Sequence, residues 1–205
     1  MYKILEKKVL NPTVVSITVD APFVAKRAKA GQFIILRTDE NGERIPFTIA
    51  GADPEKGTVT VIYQIVGAGT RQLAALEEGD SLHDFAGPLG KPSEIEGENV
   101  AIIGGGVGCA IAYPTAKAFH EAGKNVTSIV GFRNKDLVIL EDEFKEVSDN
   151  YYLMSDDGTA GEKGLVTNKL EELIASGQKF DKVIAIGPLI MMKFVCQLTK
   201  KYDIP

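Results

Sequence analysis

Along the first half of the chain apolar residues tend to alternate with polar ones, and along the second half short apolar runs alternate with segments of helical spacing. The alternation is clearest in Thr58–Val66, and Tyr2–Leu10, Val14–Asp20, Gln32–Thr38, Arg44–Ala50 and Ser81–Ala86 also read as strands. Turn chemistry separates them: Asn11-Pro12, then Asp39-Glu40-Asn41-Gly42-Glu43 with Asn-Gly at its tip, the loop Gly51–Gly57, and Gly87-Pro88-Leu89-Gly90. Ala21-Pro22 opens a polar link that runs to Gly31, and one short helix, Arg71–Leu76, follows Gly67-Ala68-Gly69-Thr70 with Thr70 as its N-cap. Six short strands at this spacing predict a small antiparallel barrel.

Past Pro92–Glu98, a polar link containing glycine and proline, the period changes. Strand Val100–Ile103 leads to helix Ala110–Ala122, strand Val126–Val130 to helix Glu141–Val147, strand Tyr151–Ser155 to helix Leu165–Ala175, and strand Val183–Ile186 to helix Leu189–Lys201. Strands alternating with helices predict a parallel sheet covered on both faces. The organisation is therefore β followed by α/β, with a barrel domain over 1–96 and a Rossmann-like domain over 97–205.

Between these halves, Val100–Ile103 ends in Gly104-Gly105-Gly106-Val107-Gly108 and runs into a helix. A continuous apolar run is what a buried parallel strand looks like. Glycines at its end allow a sharp turn and close approach of a ligand to the backbone, and the following helix start favours a phosphate. Gly104 and Gly106 match the first two glycines of a dinucleotide fingerprint, while Cys109 occupies the third position; a tight strand-to-helix turn without ligand is the competing explanation.

Composition narrows the chemistry. A net charge of −5, with no dense run of Lys and Arg, gives no electrostatic case for nucleic acid. The N-terminal residues lack the apolar core of a signal peptide and no apolar stretch reaches membrane-spanning length, so a cytoplasmic protein is the default. Two cysteines, Cys109 and Cys196, lie far apart in apolar segments and suggest neither a disulfide framework nor a metal site. With only His83 and His120, chemistry built on a histidine base is disfavoured, and His83 and Asp84, adjacent in one strand, are expected to face opposite ways.

Two motifs in the first half could hold anions. Arg44-Ile45-Pro46-Phe47-Thr48 puts a cation, a proline and a hydroxyl on one face of a strand, with Ile45 and Phe47 on the other. Pro46 removes a ladder N–H, and an Arg beside such a gap can clamp phosphate. Gly67–Thr70 exposes N–H groups at a helix start. Read singly, these are an ordinary strand with a surface Arg and an ordinary helix cap.

Taken together, Arg44-x-Pro46-Phe47-Thr48, Tyr63-Gln64-Ile65-Val66-Gly67-Ala68-Gly69-Thr70, Gly87-Pro88-Leu89-Gly90 and the glycine-rich turn resemble the ferredoxin–NADP reductase superfamily over essentially the whole chain. Within it the sequence is similar to the electron-transfer subunits of dihydroorotate dehydrogenase and to the small subunits of NADH-dependent reduced ferredoxin:NADP oxidoreductases, also seen as sulfide dehydrogenases. The resemblance implies a six-stranded Greek-key barrel binding FAD and a parallel domain binding NAD(H) or NADP(H). It implies that Arg44, Pro46, Phe47 and Thr48 hold the flavin and its phosphates, with Thr48 near the reacting edge. Tyr63, Gln64 and Ile65 would lie near the adenosine half, Gly69, Thr70 and Arg71 near the pyrophosphate, and Gly87 and Pro88 beside the flavin. For the second cofactor it implies Gly104, Gly105, Gly106, Val107 and Gly108 at the pyrophosphate, Arg133 at the adenosine ribose, Asp157 as a dinucleotide-binding residue in the loop at the end of the third parallel strand, and Gly187 and Pro188 at the nicotinamide.

The activity implied is hydride transfer between NAD(P)H and FAD, with electrons passing to an iron–sulfur centre, a larger catalytic subunit or ferredoxin. A stand-alone NAD(P)H:flavin reductase, a non-catalytic nucleotide-binding scaffold and an electron-transfer subunit of dihydroorotate dehydrogenase are the alternatives. The chain departs from the family in having Ile186 rather than Cys before Gly187-Pro188, and no acidic residue at the end of the strand leading to Gly131. Similar proteins also carry a cysteine-rich tail for a [2Fe–2S] cluster, which needs four ligands that Cys109 and Cys196 cannot supply. A cluster is thus expected only with a cysteine-rich segment beyond Pro205.

Overall fold

The computed structural model describes residues 1–205, which divide into two compact units, Met1–Ser93 and Glu94–Pro205. In the first, strands β1 (Tyr2–Asn11), β2 (Val14–Asp20), β3 (Phe33–Arg37), β4 (Ile45–Asp53), β5 (Thr58–Gln64), β6 (Ser81–Leu82) and β7 (Asp84–Leu89) form one seven-stranded antiparallel sheet in the order β6-β1-β2-β5-β4-β3-β7. Its two end strands are consecutive in the chain and separated only by His83, so the sheet curls into a nearly closed barrel.

The single strand expected over Ser81–Ala86 is thus two strands. Leu82 pairs with Tyr2 of β1, whereas Asp84 pairs with Arg37 of β3, and the His83 N–H donates to the Arg37 carbonyl at 2.9 Å. The ladder changes partner at His83, which makes seven strands where alternation predicted six. Two helices attach to the barrel: α1 (Pro22–Ala25), inside the stretch expected to be a polar link, and α2 (Ala68–Ala74).

Alternation fills the barrel from every strand. Val15, Ile17 and Val19 of β2, Val59, Val61 and Tyr63 of β5, and Ile34 and Leu36 of β3 are buried together with Ile4, Leu73, Leu82 and Phe85. Burying an aliphatic or aromatic side chain contributes about 1.5–3 kcal/mol, so this inward set fixes the register. A slip of one residue would turn it outward.

The second unit holds five strands, β8 (Asn99–Gly105), β9 (Asn125–Phe132), β10 (Asn150–Ser155), β11 (Glu162–Lys163) and β12 (Lys182–Ile186), all parallel, in the order β11-β10-β9-β8-β12. Helices α3 (Cys109–Glu121), α4 (Glu141–Glu146), α5 (Val166–Ala175) and α6 (Leu189–Lys201) connect and cover it. Val100–Gly105 is buried throughout, as expected for a strand covered on both faces. From β8 the chain builds outward through β9, β10 and β11, then crosses back to place β12 on the other side of β8. The topology therefore reverses between β8 and β12, where open α/β sheets bind ligands at the strands' carboxyl ends. No helix is long and apolar enough to cross a membrane.

Candidate functional site

Pairing of β4, β3 and β7 assembles a platform on the outside of the barrel. Thr48 lies opposite Phe33 and Pro46 opposite Ile35. On the far side Phe33 pairs with Leu89, Ile35 with Ala86 and Arg37 with Asp84. Parity then splits these residues as the sequence pattern requires: Ile34, Leu36 and Phe85 are buried, while Pro46 and Ala86 are exposed and Phe33, Ile35 and Thr48 half-buried. The result is an apolar strip with the Thr48 hydroxyl at one end and Arg44 at the other. Four steps of extended chain, from Arg44 to Thr48, span roughly 13 Å.

The Arg44 end is a cluster of charge. The Asp84 carboxylate lies 2.8 Å from Arg37 Nε and 3.6 Å from Arg44 Nη2, whose side chain is 66% exposed. His83 Nδ1 stands 3.0 Å from Asp84 Oδ1 and 3.0 Å from Arg37 Nη2. The hydrogen bond from His83, together with Arg37, holds the Asp84 carboxyl below its ordinary value. His83 and Asp84 meet because the strand breaks between them, correcting the expectation that they face opposite ways.

Gly67–Thr70 joins the same end. A Cβ on Gly69 would stand 2.7 Å from Ile45 Cδ1, so the missing side chain lets α2 pack against the start of β4. Thr70 is not the N-cap: the helix begins at Ala68 after Gly67, and Thr70 sits a turn inside it, nearly buried. Its hydroxyl folds back and accepts the N–H groups of Val66 and Gly67, both at 2.9 Å. Those two donors are therefore spent internally, while Arg71 and Gln64 stay exposed.

Four further residues singled out in the sequence, Tyr63, Phe47, Ile65 and Gly87, point elsewhere. Tyr63 is 2% exposed, its ring 5.4 Å from that of Phe47, so both rings belong to the interior and not the outer strip. The Tyr63 hydroxyl has no hydrogen-bond partner, and burial pushes its pKa well up. Ile65 packs against the same core, and Gly87 backs onto Ile34, where a Cβ would meet Cγ2 at 2.6 Å. Pro88 is half-buried on β7.

At the switch point of the second unit, Gly104 pairs with Ile186 and Gly105 with Gly131. The chain turns at Gly106, φ +55°, passes through one 3-10 turn, Gly106–Gly108, and enters α3 at Cys109. The glycines divide into two kinds. A Cβ on Gly105 would meet Met191 Sδ at 2.5 Å and one on Gly108 the Ile186 carbonyl oxygen at 2.5 Å, so these positions let two turns pack together. Gly106 faces open space, with nothing within 4 Å of a Cβ, and Val107 beside it is half-buried. Gly106 is thus the open crest of the cluster, and half-buried Gly187 and exposed Pro188 follow the facing strand. Cys109 is wholly buried beneath Gly104, and desolvation pushes its thiol well up.

Arg133 follows β9 and is exposed. Asp157 follows β10, and its Oδ1 accepts both the N–H and the hydroxyl of Thr159, at 2.9 and 2.7 Å. That hydroxyl lowers the Asp157 pKa, so this oxygen organises its own loop. Phe33, Ile35 and Ala86 were missed in the sequence because each joins the strip through a partner across a strand pair.

Barrel and switch-point sheet together define an oxidoreductase of the ferredoxin-reductase type, and comparison with known proteins agrees. The oxidoreductase NAD-binding domain family matches residues 102–197. The dihydroorotate dehydrogenase B (NAD(+)) electron transfer subunit homolog of Thermotoga maritima is 45% identical over all of this chain and 72% of its own length. An uncharacterized protein of the adh 3′ region of Clostridium beijerinckii is 50% identical with the same coverages. A chain of the NADH-dependent reduced ferredoxin-NADP oxidoreductase structure, studied for flavin-based electron bifurcation, is 42% identical, covers all of this chain and 74% of its own, and superposes with a TM-score of 0.91. The protein belongs to the family of these electron transfer subunits and their homologues.

Proposed function

We propose that the protein is a flavoprotein electron-transfer subunit that passes hydride between NAD(P)H and FAD and hands electrons to a larger catalytic partner or ferredoxin in the cytoplasm. The observation that carries this reading is the outer strip of the barrel. An apolar surface with a hydroxyl at one end and an exposed guanidinium at the other matches a ligand with a flat ring joined to a pyrophosphate.

In this reading the barrel is a six-stranded Greek key whose last strand bends at His83. Pro46, Ile35 and Ala86 back the ring, Thr48 hydrogen-bonds near its reacting edge, and Arg44 takes the phosphates beside Gly69 and Arg71. Tyr63 and Phe47 support the strip from within. In the second unit Gly106 and Val107 present backbone N–H groups to the dinucleotide pyrophosphate, and Gly187-Pro188 leaves room for the nicotinamide. When bound, the two cofactors supply the redox chemistry itself, and the protein supplies orientation and exclusion of water. The residues present do not fit an iron–sulfur cluster: no group of three or more His, Cys, Asp or Glu side chains is placed to hold a metal.

The purified protein should bind FAD, be yellow, and be bleached anaerobically by NADH or NADPH. A colourless protein that takes up no FAD overturns the reading. Rapid turnover of free flavin without a partner would instead make it a self-contained flavin reductase.

A further inference from the structure

The loops that follow β9 and β10 are latched together through one hydroxyl. Thr159 Oγ1 accepts the Lys135 N–H at 2.9 Å and donates to Asp157 Oδ1 at 2.7 Å. The latch continues along the backbone, where the Asp156 N–H donates to the Phe132 carbonyl at 3.1 Å and the Asp157 N–H to the Arg133 carbonyl at 3.4 Å. Behind it, the Ser155 hydroxyl donates to the Ala160 carbonyl at 2.6 Å, and the Gly164 N–H donates to the Ser155 carbonyl at 3.0 Å. The stem of Lys163 lies against Gly158, closing the loop from its other side. Arg133 and Lys135 are exposed at the carboxyl end of the parallel sheet, on the segment that Thr159 holds.

We propose that Thr159 is a positioning residue for dinucleotide binding, fixing the Arg133–Lys135 segment so that its cations and backbone meet the adenosine-ribose end of the ligand. This rests on the reading of the second unit as a dinucleotide site and adds to it how affinity for that end is set. Two bonds, from Lys135 and to Asp157, converge on one oxygen. Asp157, expected from the sequence to bind the dinucleotide, acts through Thr159. A valine at 159 keeps the shape and removes both bonds, and a serine keeps both.

The test is calorimetric titration of the protein and its T159V and T159S variants with ADP-ribose, with nicotinamide mononucleotide as the probe lacking the adenosine end. T159V is expected to weaken ADP-ribose roughly tenfold, as the loss of one to two hydrogen bonds implies, and to leave nicotinamide mononucleotide binding unchanged. T159S is expected to stay within about twofold of the parent for both probes. Equal ADP-ribose affinity in the parent and T159V overturns the proposal while leaving the dinucleotide reading intact, and so does an equal loss for both probes. A parent protein that binds neither probe overturns the dinucleotide reading and this proposal with it.

Discussion

The carbonyl oxygen of Ile186 lies where a side chain on residue 108 would have to begin, 2.5 Å from an added Cβ, with Gly187 Cα at 2.7 Å from the same point. The end of β12 and the start of α3 thus touch backbone to backbone at the switch point. Position 108 makes the close contact that a third fingerprint glycine serves in a βαβ unit, one residue before Cys109, which the sequence spacing put in that place.

Replacing Gly108 by alanine is accordingly expected to destabilise the second unit by about 1–3 kcal/mol, the usual range for overpacking. Gly106→Ala meets no atom, and its cost is the left-handed backbone alone, about 1–2 kcal/mol. Chemical denaturation followed by circular dichroism gives both values. A G108A protein as stable as its parent would show that the turn relaxes freely. Dinucleotide affinity should fall in both variants, in G108A because the turns are pushed apart and in G106A because the added methyl enters the open crest that the dinucleotide is proposed to occupy.

Arg44 makes one long contact with Asp84 and is otherwise in solvent, so Arg44→Ala should leave the melting temperature within a degree or so of the parent, surface substitutions being usually within about 0.5 kcal/mol. Its effect should fall on FAD. Loss of charge-assisted hydrogen bonds to phosphate, at about 1.5–3 kcal/mol, predicts an affinity roughly 10- to 100-fold weaker. Riboflavin, with no phosphate, should bind parent and variant alike. Flavin fluorescence titration reads both, and equal FAD affinity would remove Arg44 from the site.

Where structure followed local pattern, the sequence was legible. Val14–Asp20 and Leu189–Lys201 are the strand and helix that their spacing predicts, because each buries one face against a single core. Elements governed by a distant partner were not. Ser81–Ala86 reads as one alternating strand, and only the switch from Tyr2 to Arg37 as neighbour divides it. The outer strip was half visible for the same reason. Arg44, Pro46 and Thr48 follow from parity along one strand, but Ile35 and Ala86 join them through register, which no local pattern carries. Thr70 was misplaced because a hydroxyl that caps a helix from within looks, in sequence, like one that caps it from outside.

The two thiols should separate cleanly under a disulfide-exchange reagent. Cys196 is exposed on α6, whereas Cys109 is buried and desolvation raises its pKa, so its reactive thiolate is suppressed twice over. One equivalent is expected to react promptly at pH 8 and the second only on denaturation. Cys196→Ser should abolish the fast phase and Cys109→Ser leave it intact. Rapid labelling of both thiols in the folded protein would mean that the start of α3 opens readily.

Asp181 ties the entry of β8 to the loop before β12. Its Oδ2 accepts the N–H groups of Asn99 at 2.8 Å and Glu98 at 3.0 Å. Those bonds, Asn99's first, hold the carboxyl below its ordinary 3.8. A group whose folded pKa is depressed binds its proton more readily unfolded, so it stabilises the fold above the unfolded value and loses that contribution as pH falls through the folded one. At neutral pH the parent should therefore melt above Asp181→Ala. The gap should hold down to about pH 5 and shrink once the pH passes below about 4, where the unfolded carboxyl is already protonated. Melting curves of both proteins at matched ionic strength between pH 2 and 7 test this. A gap of constant size would mean that Asp181 contributes by packing alone, and a gap that widened toward acid would contradict the hydrogen-bond account.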